Sequence, residues 1–215
     1  MKEWLALDDT DQDDQAKLEH AARYHYVVPE AKAHRVMDVG CGAGYGAAAM
    51  AEVAEYVVAV DRRPEAIAYA REHHKRDNLV FEEVDIEHMA QAGTVEEDLN
   101  LDVPIDLITA FEVLEHLEHP ADLLIVAQAL LSPRGVFYLS TPFYHKEVHV
   151  APAEAMATFD NPWHLHAWDA PGLRRLLEPH FKEVRIGVQH RLEFTPVWTW
   201  GPGTSWFVRC WGPVP

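Results

Sequence analysis

Basic residues are scarce. Eighteen lysines and arginines stand against 35 aspartates and glutamates, a formal net charge of −17. A chain so short of cations argues against a general phosphate-backbone binder, although a local basic patch is not excluded. Cysteine is nearly absent: Cys41 and Cys210 form neither a CxxC pair nor a disulfide framework, which points to a reducing, cytoplasmic setting. No basic-then-apolar leader is visible, and no apolar run approaches the length that crosses a bilayer, so neither secretion nor a membrane partner is expected. There is no internal repeat, and no segment is long enough to build a second core. The expectation is one domain over 1–215, with 48% hydrophobic residues to fill it. Fourteen histidines are scattered along the chain and read mostly as surface or packing residues.

What is present is an alternation. Residues 1–30 read as an acidic arm (Asp8, Asp9, Asp11, Asp13, Asp14) and a helix from Gln15 to Val28, with Leu18, Ala21, Ala22 and His25 on one face. Strands are expected at Arg35–Val39, Tyr56–Val60, Leu79–Val84, Ile105–Ala110 and Val136–Ser140. Helices are expected at Gly44–Ala54, Pro64–Lys75 and Ala121–Leu131, with a short helix plus loop within Ile86–Val103. A further helix, Asp169–His180, precedes two late strands, Val184–Gln189 and Trp206–Trp211. This order predicts an α/β fold: a Rossmann-like, doubly wound, mostly parallel seven-stranded sheet, closed by an antiparallel edge.

The stretch "VMDVGCGAGYG" places glycines at 40, 42, 44 and 46 between the first strand and the next helix. Such a turn lets a ligand approach the backbone, or it is simply a tight turn. The dinucleotide fingerprint needs a third glycine at position 45, where Tyr45 stands. Asp61 ends the second strand, where a carboxylate can accept bonds from two ribose hydroxyls, and Asp85 ends the third, where a polar side chain can face an adenine amine. Either aspartate could instead be a surface or helix-capping residue.

Together, "VMDVGCGAGYG", "VVAVDRRPEAIAYAR", "FEEVDIE" and "DLITAFEVLEHLEHP" occur in the order and spacing of class I S-adenosylmethionine-dependent methyltransferases, and the chain resembles that family from about Glu19 to Phe181. "LLSPRGVFYLSTP" resembles the family's fifth-strand segment, with one glycine where two are usual. The resemblance implies S-adenosylmethionine as cofactor. Gly40, Gly42 and Gly44 would lie against the cofactor, the loop cradling its methionine part, Asp61 would hold its ribose, and Asp85 and Ile86 would meet its adenine; Asp38, Cys41 and Arg62 would also contact the cofactor. Phe111 and Glu112 would border the methyl group. "EHAARY" resembles an N-terminal feature of one subgroup, in which Arg23 meets the cofactor carboxylate; the residue reads equally as an exposed helix charge.

Glu112, Glu115 and His116 form E-x-x-E-H, whose spacing shares one helical face, and His164 follows in "NPWHLHAWDAPGL". Two carboxylates and two imidazoles suit a divalent ion such as Mg²⁺, Mn²⁺ or another transition metal. The arrangement resembles that of Hen1-type small-RNA and ubiquinone-pathway O-methyltransferases. Without a metal, Glu115 is a solvated carboxylate. Histidines 116, 145, 149 and 164 are the candidate bases. The segment 143–168 is expected to cover the substrate, and Trp206 and Phe207 to pack in the core. The reading is O-methylation of a small hydroxylated acceptor: a sugar, a polyol or a catechol-like ring. Its rivals are an RNA 2′-O-methyltransferase, which the charge opposes, and a non-catalytic cofactor-binding partner subunit. A homodimer is compatible with all three.

Overall fold

The computed structural model describes residues 14–93, 104–142, 163–190, 192–196 and 205–214. Helix α1 (Asp14–Val27) runs through a 3₁₀ turn (Val28–Ala31) into strand β1 (Arg35–Val39). There follow α2 (Tyr45–Met50), β2 (Tyr56–Asp61), α3 (Pro64–His73), β3 (Leu79–Glu83), α4 (Ile86–Ala92) and β4 (Ile105–Phe111). A 3₁₀ turn (Leu114–His116), α5 (Pro120–Leu130), β5 (Leu131–Pro142), α6 (Ala170–Leu177), β6 (Phe181–His190), β7 (Glu193–Pro196) and β8 (Ser205–Pro213) complete the order.

The strands form one sheet in the order β3-β2-β1-β4-β5-β8-β6-β7. The first five are parallel, as apolar runs such as "YVVAVD" require: strands covered on both faces need no alternation. One correction applies to the sequence reading: the sheet has eight strands, because the short β7 adds an edge. The two late strands pair antiparallel at that end of the sheet, as expected, with β8 inserted between β5 and β6. That insertion buries Trp206 and Phe207 in the core, as expected.

Two apolar layers flank the sheet. One packs Met89 of α4, Leu123, Leu124 and Ala127 of α5, and Leu173 and Leu177 of α6 against β4, β5 and β8. The other packs Tyr24 and Val27 of α1, Ala47 and Met50 of α2, and Ile67 and Ala70 of α3 against β1, β2 and β3. Caps fit the sequence: Asp85 accepts from the N–H groups of Glu87 and His88 to start α4, and Asp169 accepts from Gly172 N–H to start α6. No helix among the described residues is long and apolar enough to cross a membrane.

Helix α1 departs from the pattern read in its sequence. Leu18 is 56% exposed, whereas Lys17, Glu19, Arg23, Tyr24 and Val27 are buried. Its inward face is largely polar, and Glu19, His20 and Arg23 on that face line the cavity that it covers. Gly46 permits its approach: a Cβ there would lie 2.1 Å from Cζ of Tyr24. The last glycine of the loop thus serves helix packing.

Candidate active site

In a parallel sheet the carboxyl ends of the strands open a crevice where connections leave to opposite faces. A cavity of about 460 Å³ lies there, walled by residues that follow β1, β2, β3 and β4 and roofed by α1. Gly40, Gly42 and Gly44 have φ of +68°, +52° and +80°, a region that side chains disfavour. Gly40 is doubly constrained, since a Cβ would meet Val113 Cγ2 at 2.4 Å. Gly40, Cys41 and Gly42 line the cavity; Gly44 does not, because it turns back against Phe81 and Ala70.

Asp61, at the end of β2, is 5% exposed and fixes this loop: its carboxylate accepts from Gly42 N–H (3.0 Å) and Arg63 N–H (2.9 Å). Arg62 stands beside it on the wall, and Asp85 and Ile86 continue the wall at the end of β3, Asp85 while capping α4. Asp38 belongs elsewhere. It is fully buried outside the cavity lining and accepts from Thr109 Oγ1 (2.6 Å) and from the Tyr24 hydroxyl (3.2 Å to each oxygen). Burial pushes its carboxyl up to about 7 despite those two bonds. Asp38 therefore ties β1 to β4 and α1 and does not face the cavity, which corrects its assignment as a cofactor contact.

Beyond β4, Phe111 and Glu112 reach the cavity. Glu112 holds φ of +56°, costly for a residue with a Cβ, and its N–H donates to the carbonyl and hydroxyl of Ser140. Its carboxylate accepts from Ser140 Oγ (2.8 Å) and pairs with Arg23 Nη1 (3.1 Å). Burial alone would raise its pKa; Arg23, the Ser140 hydroxyl and His20 outweigh it and hold the carboxyl below its ordinary value. Arg23 is not an exposed helix charge: it is 4% exposed and lines the cavity from α1.

Glu115 is fully buried rather than solvated, and neither carboxylate oxygen has a hydrogen-bond partner among the described residues. Burial, and then the negative charge of Glu112, push its pKa well above the ordinary carboxylate value. His116 Nε2 lies 3.8 Å from Glu115 Oε1, and the His116 and His164 rings are 5.0 Å apart. One ligand atom from each of Glu115, His116 and His164 falls within 4.8 Å of the others. Glu112 stands outside that group, committed to Arg23 and Ser140, which corrects the four-residue ligand set. His116 Nδ1 is 2.9 Å from the Trp163 carbonyl. A carbonyl only accepts, so Nδ1 carries a proton, and Nε2 is the ring nitrogen that faces Glu115. Burial and the neighbouring His116 lower the pKa of His164 below its ordinary value. Trp163–Trp168 adjoins the site through Leu165 N–H and His166 N–H, which donate to the Glu115 carbonyl at 2.7 and 3.2 Å. His145, His149 and most of the expected cover segment lie outside the described residues.

The sequence reading missed Glu19, His20, Tyr45 and Ser205, which also line the cavity. His20 bonds the Tyr45 hydroxyl, and burial with the Arg23 charge lowers its pKa to about 3. Glu19 and His20 stand four and three residues before Arg23, a spacing that could have placed them on its face. Ser205 offers no such signal.

The family model described as a methyltransferase domain matches residues 30–174. A probable S-adenosylmethionine-dependent methyltransferase of Mycolicibacterium smegmatis is 34% identical over 175 residues, covering 78% of this chain and 62% of that protein. The ubiquinone biosynthesis O-methyltransferase of Haemophilus ducreyi is 33% identical over 128 residues, covering 55% of this chain and 51% of its own. The chain thus spans roughly half to three-fifths of these curated relatives. Among solved structures, the N-methyltransferase NodS of Bradyrhizobium japonicum, in complex with S-adenosylhomocysteine, superposes with a TM-score of 0.65 at 18% identity, over 97% of this chain and 91% of that one. With the glycine loop, the acids after β2 and β3 and the matched sequence in agreement, the chain belongs to the methyltransferase domain family, the class I S-adenosylmethionine-dependent methyltransferases.

Proposed function

We propose that the chain catalyses S-adenosylmethionine-dependent O-methylation of a small hydroxylated acceptor, assisted by a divalent ion on Glu115, His116 and His164. The observation that carries this reading is Glu115. A buried carboxylate without a hydrogen bond is costly, and it is relieved either by protonation or by a cation. Two imidazoles stand within reach of the same point. One carboxylate and two imidazoles suit Mn²⁺ or another transition metal better than Mg²⁺. The Trp163 carbonyl acts as the outer partner that fixes the His116 tautomer.

The cavity fits the cofactor. Gly40 and Gly42 let the methionine part approach the backbone, Asp61 faces the ribose, and Asp85 with the apolar Val60, Val84, Ile86 and Leu117 surrounds the adenine. Arg23 takes the carboxylate. When bound, S-adenosylmethionine supplies an electrophilic methyl group, and a divalent ion would lower the pKa of an acceptor hydroxyl. The protein's own task is to align the acceptor with that methyl and to take up its proton; alignment of this kind contributes on the order of 7–11 kcal/mol at its upper limit. His116 Nε2, beside Glu115 on the cavity wall, accepts the proton if no ion occupies it.

The O-methyltransferases among the relatives support oxygen as the acceptor atom, and the charge of −17 favours a small molecule over RNA. The test is metal analysis of the purified protein, with turnover of a catechol and polyol panel before and after chelation. Activity is expected to fall with chelator and return with Mn²⁺. Full activity in a metal-free preparation would refute the ion and leave His116 as base.

A further inference from the structure

We propose that Gln189 and Ser205, from the last two long strands, are positioning residues that hold the Arg23 guanidinium for the carboxylate of the cofactor. The inference rests on the cofactor placement above. Arg23 Nε donates to Gln189 Oε1 at 2.6 Å, and Nη2 donates to Ser205 Oγ at 2.8 Å. Gln189 and Ser205 are register partners across β6 and β8, so the sheet presents both oxygens side by side. The Gln189 amide cannot flip without loss, because its Nε2 donates to the Glu19 carbonyl at 2.8 Å. Gln189 is fully buried, Ser205 is 2% exposed and Arg23 4%.

A guanidinium carries five N–H donors in a rigid fork. Gln189 takes the one on Nε, Ser205 one on Nη2 and Glu112 one on Nη1. One N–H remains on each terminal nitrogen, open to the oxygens of a carboxylate. Gln189 and Ser205 supply neutral acceptors, so they fix the fork without cancelling its charge. The Arg23–Glu112 pair then presents a cation and an anion 3.1 Å apart on the cavity wall, the complement of an α-amino-acid zwitterion. A network serving only to fasten α1 to the sheet would make no distinction between ligands with and without that amino-acid end.

Calorimetry with two ligands separates these roles. S-adenosylhomocysteine carries the amino-acid end; 5′-methylthioadenosine keeps the nucleoside and the thioether and lacks it. Gln189→Leu is expected to weaken S-adenosylhomocysteine by about tenfold or more, as for a charge-assisted hydrogen bond. The same change should leave methylthioadenosine within about twofold. Ser205→Ala, a smaller cut that keeps the fold, should give the same selective loss in lesser degree, and Ser205→Thr should restore binding by returning the hydroxyl. Equal loss of both ligands in both variants, or no loss of either, would overturn the proposal. Failure of the unmodified protein to bind S-adenosylhomocysteine would instead refute the cofactor placement on which it rests.

Discussion

Asp38 permits a test in which sign, size and location all follow from the structure. Its carboxyl is fully buried, bonded by Thr109 and Tyr24, and its pKa is raised to about 7 from an ordinary 3.8. A carboxyl whose folded pKa exceeds its unfolded one contributes stability that is fully present below the unfolded value. That contribution is lost as the pH climbs to the folded value and is constant above it. The interval is about three units at 1.36 kcal/mol each, so Asp38 should remove about 4 kcal/mol between roughly pH 4 and pH 7. Many other carboxylates titrate in that range, so the readout is the difference between the wild type and Asp38→Asn, which imitates the protonated form. Urea unfolding across this range should show the wild type losing ground to the variant by about 1.4 kcal/mol per unit, with a plateau above pH 7. Parallel stability curves would refute the buried-acid account. The same variant should bind S-adenosylhomocysteine like the wild type, because Asp38 lies behind the loop and outside the cavity lining. A tenfold loss would return Asp38 to the cofactor.

Further outcomes are expected at other positions. Asp61→Ala should weaken S-adenosylhomocysteine by tenfold or more, since it removes a charged acceptor from the ribose and releases Gly42 N–H; unchanged affinity by calorimetry would end the ribose assignment. Gly46→Ala should cost about 1–3 kcal/mol, read as a lowered melting temperature, because its Cβ would overlap the Tyr24 ring. Phe207→Ala should cost about 3–5 kcal/mol and speed amide exchange in α1, because Phe207 packs on Tyr26 of that helix at 5.1 Å; unchanged α1 protection would show that the helix is held by other contacts.

The order of strands and helices was legible because parallel strands buried on both faces read as apolar runs, and because glycine and aspartate mark where they end. The placement of Asp61, Asp85, Gly40 and Gly42 at the strand ends, where they line the cavity, was legible for the same reason. Position did not reveal direction. Asp38 sits within the same motif, yet its side chain meets Thr109 and Tyr24 and leaves the cavity to its neighbours. Periodicity misled at α1, where the apolar Leu18 is exposed and the charged Arg23 buried, since Gln189, Ser205 and Glu112 offer Arg23 acceptors on the inward side. Strand β7 escaped notice because four residues ending in proline carry little strand signal. The insertion of β8 beside β5 depends on pairing between distant segments, which no local pattern records.

The cavity is closed by the two ends of the described chain acting on each other. Helix α1 brings Glu19, His20 and Arg23 to the site, but nothing in its apolar pattern would seat it that way. What fixes its rotation is polar and distant in sequence: Arg23 to Gln189 and Ser205, the Glu19 carbonyl to Gln189, and Tyr24 to Asp38. Two of these partners, Gln189 and Ser205, lie on β6 and β8, far from α1 in sequence. An inward polar face has no register of its own in water, because each group is equally satisfied by solvent; it acquires one when a preformed surface offers matched acceptors. The late strands therefore do more than finish the sheet. By presenting Gln189 and Ser205 side by side, they define the one rotation of α1 in which Arg23 points into the cavity.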